Sequence, residues 1–79
     1  MPRKPVTESQ RLNGQQFERM WTCNRPSVTA LYFAAAVGVS RTSVRNWTRY
    51  GVPEFMKEKV CAYLGCQYID LTHPNLRVD

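Results

Sequence analysis

Arg41, Thr42, Arg45, Asn46 and Arg49 are the residues of this chain whose types and spacing bear most directly on chemistry. At about 100° per residue along a helix they fan across one side, and Ser43, Val44 and Trp47 fall on the other. The chemistry they offer is recognition by hydrogen bonding. An arginine fork matches the O6 and N7 acceptors of guanine, an asparagine amide matches N6 and N7 of adenine, and a threonine brings a hydroxyl with a methyl for thymine. A charged helix face is most often simply solvated, but this one holds three arginines and no acid. That composition favours duplex DNA as its counterpart. Arg41, Thr42, Arg45 and Asn46 are expected at base edges. Arg49, a full turn or more from the helix start, is expected nearer a phosphate.

Such a face must be held by a second helix at a sharp angle, and residues 30–49, ALYFAAAVGVSRTSVRNWTR, have the spacing for one. Ala34 is small where the second helix approaches. Gly38, four residues later, can take the positive φ of a helix exit, which a β-branched residue resists. Val37, Val39, Val44 and Trp47 supply a shared core, and the Ser40 hydroxyl can cap the next helix by accepting a first-turn N–H. Arg25, Ser27, Thr29 and Ser40 join Arg49 as candidate contacts to the DNA backbone.

The remaining composition narrows the function classes. At 79 residues the chain is one domain, and domains of this size bury only about 60% of their unfolded surface. That leaves no room for an enzyme cleft with layers behind it. No Ser/His/Asp, Cys/His, paired-carboxylate or phosphate-loop constellation is found, so the chain is read as no enzyme, with no small-molecule substrate and no cofactor. The net charge of +5 is unevenly distributed: residues 19–53 contain five arginines and no Asp or Glu. Such asymmetry is the footprint of a polyanion partner. Cys23, Cys61 and Cys66 form no CxxC pair, and His73 stands far from any four-ligand pattern, so no metal site is expected. The thiols are read as reduced, with Cys66 the most exposed. No apolar run approaches the ~20 residues of a membrane span, and the first ten residues lack the apolar centre of a secretory signal. The expectation is a cytoplasmic protein.

Along the chain, residues 1–11 read as a disordered basic arm whose Arg3 and Lys4 can touch phosphate, residues 12–65 as the domain, and residues 66–79 as a tail. A first helix is expected over residues 13–23, capped by Asn13, with Phe17, Met20 and Trp21 inward. Ser27 is read as the cap of the second helix, which runs to about Val37 and is apolar on more than one side through Leu31 and Tyr32, as if wedged between neighbours. Pro53 suits a first helical position. The fourth helix turns Met56, Val60, Tyr63 and Leu64 inward and ends at Gly65. Residues 67–72 alternate as a short strand would, and His73 beside Pro74 is read as solvated. The aromatics Phe17, Trp21, Phe33, Trp47 and Phe55 follow core spacing more closely than that of a stacking platform for single strands. The fold class expected is all-α, a compact four-helix helix-turn-helix domain with a short C-terminal strand.

Residues 30–49 resemble the helix-turn-helix of the lambda-repressor and Cro class of bacteriophage regulators, and GVPEFMKEKVCAYLG is similar to the fourth helix of that class. The resemblance spans about two-thirds of the chain, and Ala30 departs from the glutamine that many members carry there. It implies a third helix in the major groove, base contacts from Arg41, Thr42, Arg45 and Asn46, and homodimers on a near-palindromic operator in the nucleoid of a bacterial host. A Cro-like repressor of transcription is the reading that follows. Residues 39–44, followed by Trp47, Gly51 and Pro53, also resemble winged-helix excisionases, which need a β wing after the reading helix. A protein-binding antirepressor or antitoxin is the other alternative. A dimer is expected through the fourth helix and the tail, using Phe55, Tyr63, Tyr68, Ile69 and Leu71, with residues 68–72 pairing as an antiparallel strand.

Overall fold

The computed structural model describes residues 6–76, so the expected contacts of Arg3 and Lys4 lie outside the described residues. The first helix, α1, is Glu8–Asn24, longer than its sequence suggested. Thr7 and Gln10 close a reciprocal capping box, each side-chain oxygen accepting the other's backbone N–H at 3.1 Å. The segment read as a disordered arm is therefore helical from Glu8, and Asn13 lies inside the helix and caps nothing. Thr-x-x-Gln is a start signal in its own right.

Helix α2, Ala30–Val37, is capped by Thr29 and not Ser27, the Thr29 hydroxyl accepting from Tyr32 N at 3.4 Å. Gly38 ends it at φ 77°, in the left-handed region, and the N–H of Val39 closes back on Ala34 O at 2.9 Å. Ser40 then caps α3, Arg41–Tyr50, its hydroxyl accepting from Ser43 N at 3.2 Å. Gly51 turns the chain, and Pro53 is the N-cap of α4, Glu54–Leu64, one place before the position expected of it. At the end of α4 the N–H groups of Gly65 and Cys66 both reach Cys61 O, at 2.7 and 3.1 Å.

The expected C-terminal strand is replaced by two 3-10 turns, Tyr68–Leu71 and Pro74–Leu76, and no strand occurs among the described residues. The alternation of residues 67–72 is overridden locally. The Asp70 carboxylate accepts Gln67 N at 2.9 Å and Asp70 N donates to Gln67 O at 3.0 Å, curling the backbone. The Gln16 amide then holds Asp70 O at 2.8 Å, and Leu71 is buried in the core. His73 is half-buried instead of solvated, its backbone N–H donating to Asn13 Oδ1 at 3.0 Å and its Nδ1 accepting from Asn75 N at 3.1 Å. The domain is all-α, with four α-helices among the described residues.

The core is built around rings. Phe17 lies edge-on to Phe33 and Trp47, with centroids 5.5 and 6.0 Å away, and Phe33 lies edge-on to Trp21 and Tyr63 at 5.1 and 5.0 Å. Edge-to-face pairs of this kind add about 0.5–1.5 kcal/mol each beyond burial. Met56, Val60, Cys61 and Leu64 close the core from α4. Phe55 is 81% exposed, contrary to the packing role its aromatic character suggested, because it stands about 100° around α4 from the Met56–Val60–Leu64 stripe. Leu31 and Tyr32 point outward for the same reason: Phe33, Ala34 and Val37 define the single buried face of α2. Among the thiols Cys23 is exposed, Cys61 buried and Cys66 intermediate, so Cys66 is not the most accessible.

Candidate nucleic-acid interface

The outer face of α3 is set by what its inner face must bury. Val44 and Trp47 are buried and Ser43, Thr48 and Tyr50 are half-buried, which rotates Arg41, Thr42, Arg45, Asn46 and Arg49 into solvent together. All five residues grouped by the spacing argument thus share one exposed surface. The described ion pairs lie elsewhere, Arg11 with Glu8 on α1 at 2.9 Å and Lys57 with Glu54 on α4 at 3.2 Å. No acid is present on α2, on α3 or in the turn between them. The face offers three guanidinium forks and one amide, the donor geometry that fits paired acceptors on a base edge or a phosphate.

The candidate backbone contacts divide by what already engages them. Thr29 and Ser40 are caps, and Ser40 Oγ also lies 3.1 Å from Ser43 Oγ. Both sit where helix N-terminal N–H groups and the positive end of the dipole face outward, a disposition suited to anions. Ser27 is exposed in the turn before α2. Arg25 is engaged with α4: its guanidinium stacks 4.8 Å over the Tyr63 ring, and Nε donates to Tyr63 O at 3.1 Å. In this geometry it braces the end of α4. Trp21 Nε1 donates to Val28 O at 2.9 Å and fixes the loop that delivers α2.

Sequence reasoning missed the residue that seats α3. Gly14 of α1 lies against the backbone of α3, where an added Cβ would overlap the Thr48 carbonyl oxygen and stand 2.8 Å from Thr48 C and 2.9 Å from Arg49 C. Gly51, at φ 88°, approaches Asn13 in the same crossing, and a Cβ there would come within 2.9 Å of the Asn13 Cβ. The signal was available, since a glycine inside a helical pattern usually marks close approach; Gly14 passed unnoticed beside an Asn13 read as a cap. At the far end of the domain, Cys66 meets Cys61, and burial together with that neighbour and Asp70 pushes its thiol from 9.0 up to about 12. Among the described residues no group of His, Cys, Asp or Glu could hold a metal ion, and no helix is long and apolar enough to cross a membrane.

Compared with protein-family models, with curated proteins and with solved structures, the chain matches none.

Proposed function

We propose that this protein is a sequence-specific, double-stranded-DNA-binding regulator of transcription that acts as a homodimer on a near-palindromic operator, in the manner of the Cro-like repressors it resembles. The observation that carries the reading is the acid-free outer face of α3, where Arg41, Thr42, Arg45, Asn46 and Arg49 are exposed together on a helix capped at the bend. In this reading α3 enters the major groove with Arg41, Thr42, Arg45 and Asn46 at base edges. Arg49 and the helix N-termini at Thr29 and Ser40 meet phosphates. Two half-sites are needed because one reading helix covers only a few base pairs. The protein works on DNA in the cytoplasm of a bacterial host and catalyses nothing.

An excisionase-like role fits less well, because α3 is followed by α4 where a β wing would be required, and no strand occurs among the described residues. Selection of binding sites from random duplexes tests the proposal. Recovery of a related half-site in inverted repeat, with centres about 34 Å apart on one face of the duplex, supports it. Recovery of unrelated sequences bound no better than bulk DNA overturns it.

A further inference from the structure

The large exposed hydrophobics lie on α2 (Leu31, Tyr32), on α4 (Phe55), on the first 3-10 turn (Tyr68 and Ile69) and before α1 (Val6), and the two most exposed belong to α2 and α4. The outward arc of α2 holds Tyr32, 69% exposed, with the exposed Ala35 and Ala36, and the outward arc of α4 holds Phe55, 81% exposed, with the exposed Lys59 and Ala62. Between the two helices runs an open groove of about 580 Å³, walled by Ala35, Ala36 and Gly38 on one side and by Lys59, Ala62 and Tyr63 on the other. A projecting phenyl ring on α4 and, between α4 and α2, a groove lined by small residues thus occur in one molecule, with nothing in the monomer to join them.

We infer that this face is the dimer interface and that its occupant is a second copy of the chain, whose Phe55 enters the groove. The inference rests on the dimeric reading above, keeps the fourth helix and Phe55 that the sequence pointed to, and replaces the tail with α2: the C-terminal segment expected to pair as a strand is curled, and Leu71 is buried in the monomer's core. The two features are self-complementary under one symmetry operation. In an antiparallel pair of α4 helices, a two-fold axis passing between Glu58 and Lys59 sets Phe55 of each copy opposite Ala62 of the other, so both rings find both grooves, as an isologous interface requires. The area is also adequate. With aromatic side chains near 200 Å² each, the exposed parts of Phe55 and Tyr32 present roughly 300 Å². The three alanines and the Lys59 stem bring the total to about 500 Å² per copy, the apolar centre of the ~800 Å² that each partner of a stable pair buries.

Sedimentation equilibrium on the full chain tests the inference without DNA. The wild-type protein should dimerise at micromolar concentration. Phe55→Glu and, separately, Ala62→Glu should each raise the dissociation constant by about 100-fold or more, with far-UV circular dichroism unchanged because both sites are exposed. A wild-type chain that stays monomeric at about 100 μM overturns the inference, and so does a dimer whose dissociation constant neither substitution changes. Failure of the DNA reading shows separately: a dimer that responds to both substitutions yet binds no selected duplex leaves this interface standing and removes the operator.

Discussion

Gly14→Ala adds one methyl group at the closest approach between the helix that braces the domain and the helix proposed to read DNA. The new Cβ would sit 2.8 Å from Thr48 C and 2.9 Å from Arg49 C, on top of the Thr48 carbonyl oxygen. Carbon atoms in contact settle at about 3.5–4.0 Å, so α3 must retreat from α1 by roughly 1 Å. The obstacle is backbone, and no rotamer change relieves it. Alanine improves the isolated helix by about 0.5–1 kcal/mol over glycine, whereas forcing a methyl group into a packed contact costs about 1–3 kcal/mol and sometimes more. The net expected loss is about 1–2 kcal/mol. In urea, with a slope near 1 kcal/mol/M for so small a chain, the midpoint should fall by about 1–2 M. Gly38→Ala is the matched control, since its Cβ meets nothing within 4 Å but must adopt φ 77°. It isolates the left-handed penalty of about 1 kcal/mol. Displacing α3 by 1 Å should also lower operator affinity beyond what the stability loss explains, because base contacts tolerate little misplacement. Unfolding of Gly14→Ala at or above the wild-type midpoint would refute the tight α1–α3 crossing.

Log affinity for duplex DNA should fall linearly with log salt, by about 0.9 for each phosphate contact, and titration by fluorescence anisotropy at several salt concentrations checks this; a flat response removes the electrostatic footprint. Arg45→Ala should cost about 1–3 kcal/mol on the selected operator and relax preference at one base pair, whereas Arg49→Ala should weaken all sequences alike; equal loss on specific and bulk DNA for both variants counts against the assignment. Cys66 keeps its proton in the folded chain up to about pH 12, while the unfolded chain loses it near 9.0, so the folded state binds more protons across that interval. Stability should therefore be unaffected by this group below pH 9 and decline as pH rises above it, and Cys66→Ala should flatten the decline in alkaline denaturation curves. Alkylation at neutral pH should modify Cys23 first, which peptide mapping by mass spectrometry resolves.

Much of the site was legible because helical rotation depends on residue order alone. Once Val44 and Trp47 are assigned to the core, Arg41, Arg45 and Arg49 have nowhere to go but outward, and Gly38 with Ser40 marks the bend and the new start. The same arithmetic puts Leu31 and Tyr32 outside and favours the surface reading of Phe55 over its packing one, since the buried stripes of α4 and α2 leave these residues off them. Position around the helix, not hydrophobicity, decides their exposure. The caps at Thr7 and Thr29 lost to nearer-looking candidates, Asn13 and Ser27, because a cap is decided by which oxygen reaches the N2 or N3 amide, and that depends on where the preceding loop is tied. For α2 the tie is the Trp21 indole on Val28 O. The contacts made across the chain could not be read locally at all: the Arg25 stack on Tyr63, the Gln16 amide on Asp70 O and the Asn13 carbonyl on His73 N each join residues 38 or more positions apart.

These long-range ties have a common effect on the proposed reading face. Gln16 and Asn13 fasten the C-terminal turns to α1, and Gly14, between them, lets α1 press against the C-terminal turn of α3. The α3 helix has only ten residues, below the ~12–15 at which an isolated helix is even marginally stable. Its face is therefore only as well placed as α1 makes it. Substitutions on α1 that never approach DNA should change affinity through the seating of α3, and they should do so in proportion to how far they part Gly14 from Thr48.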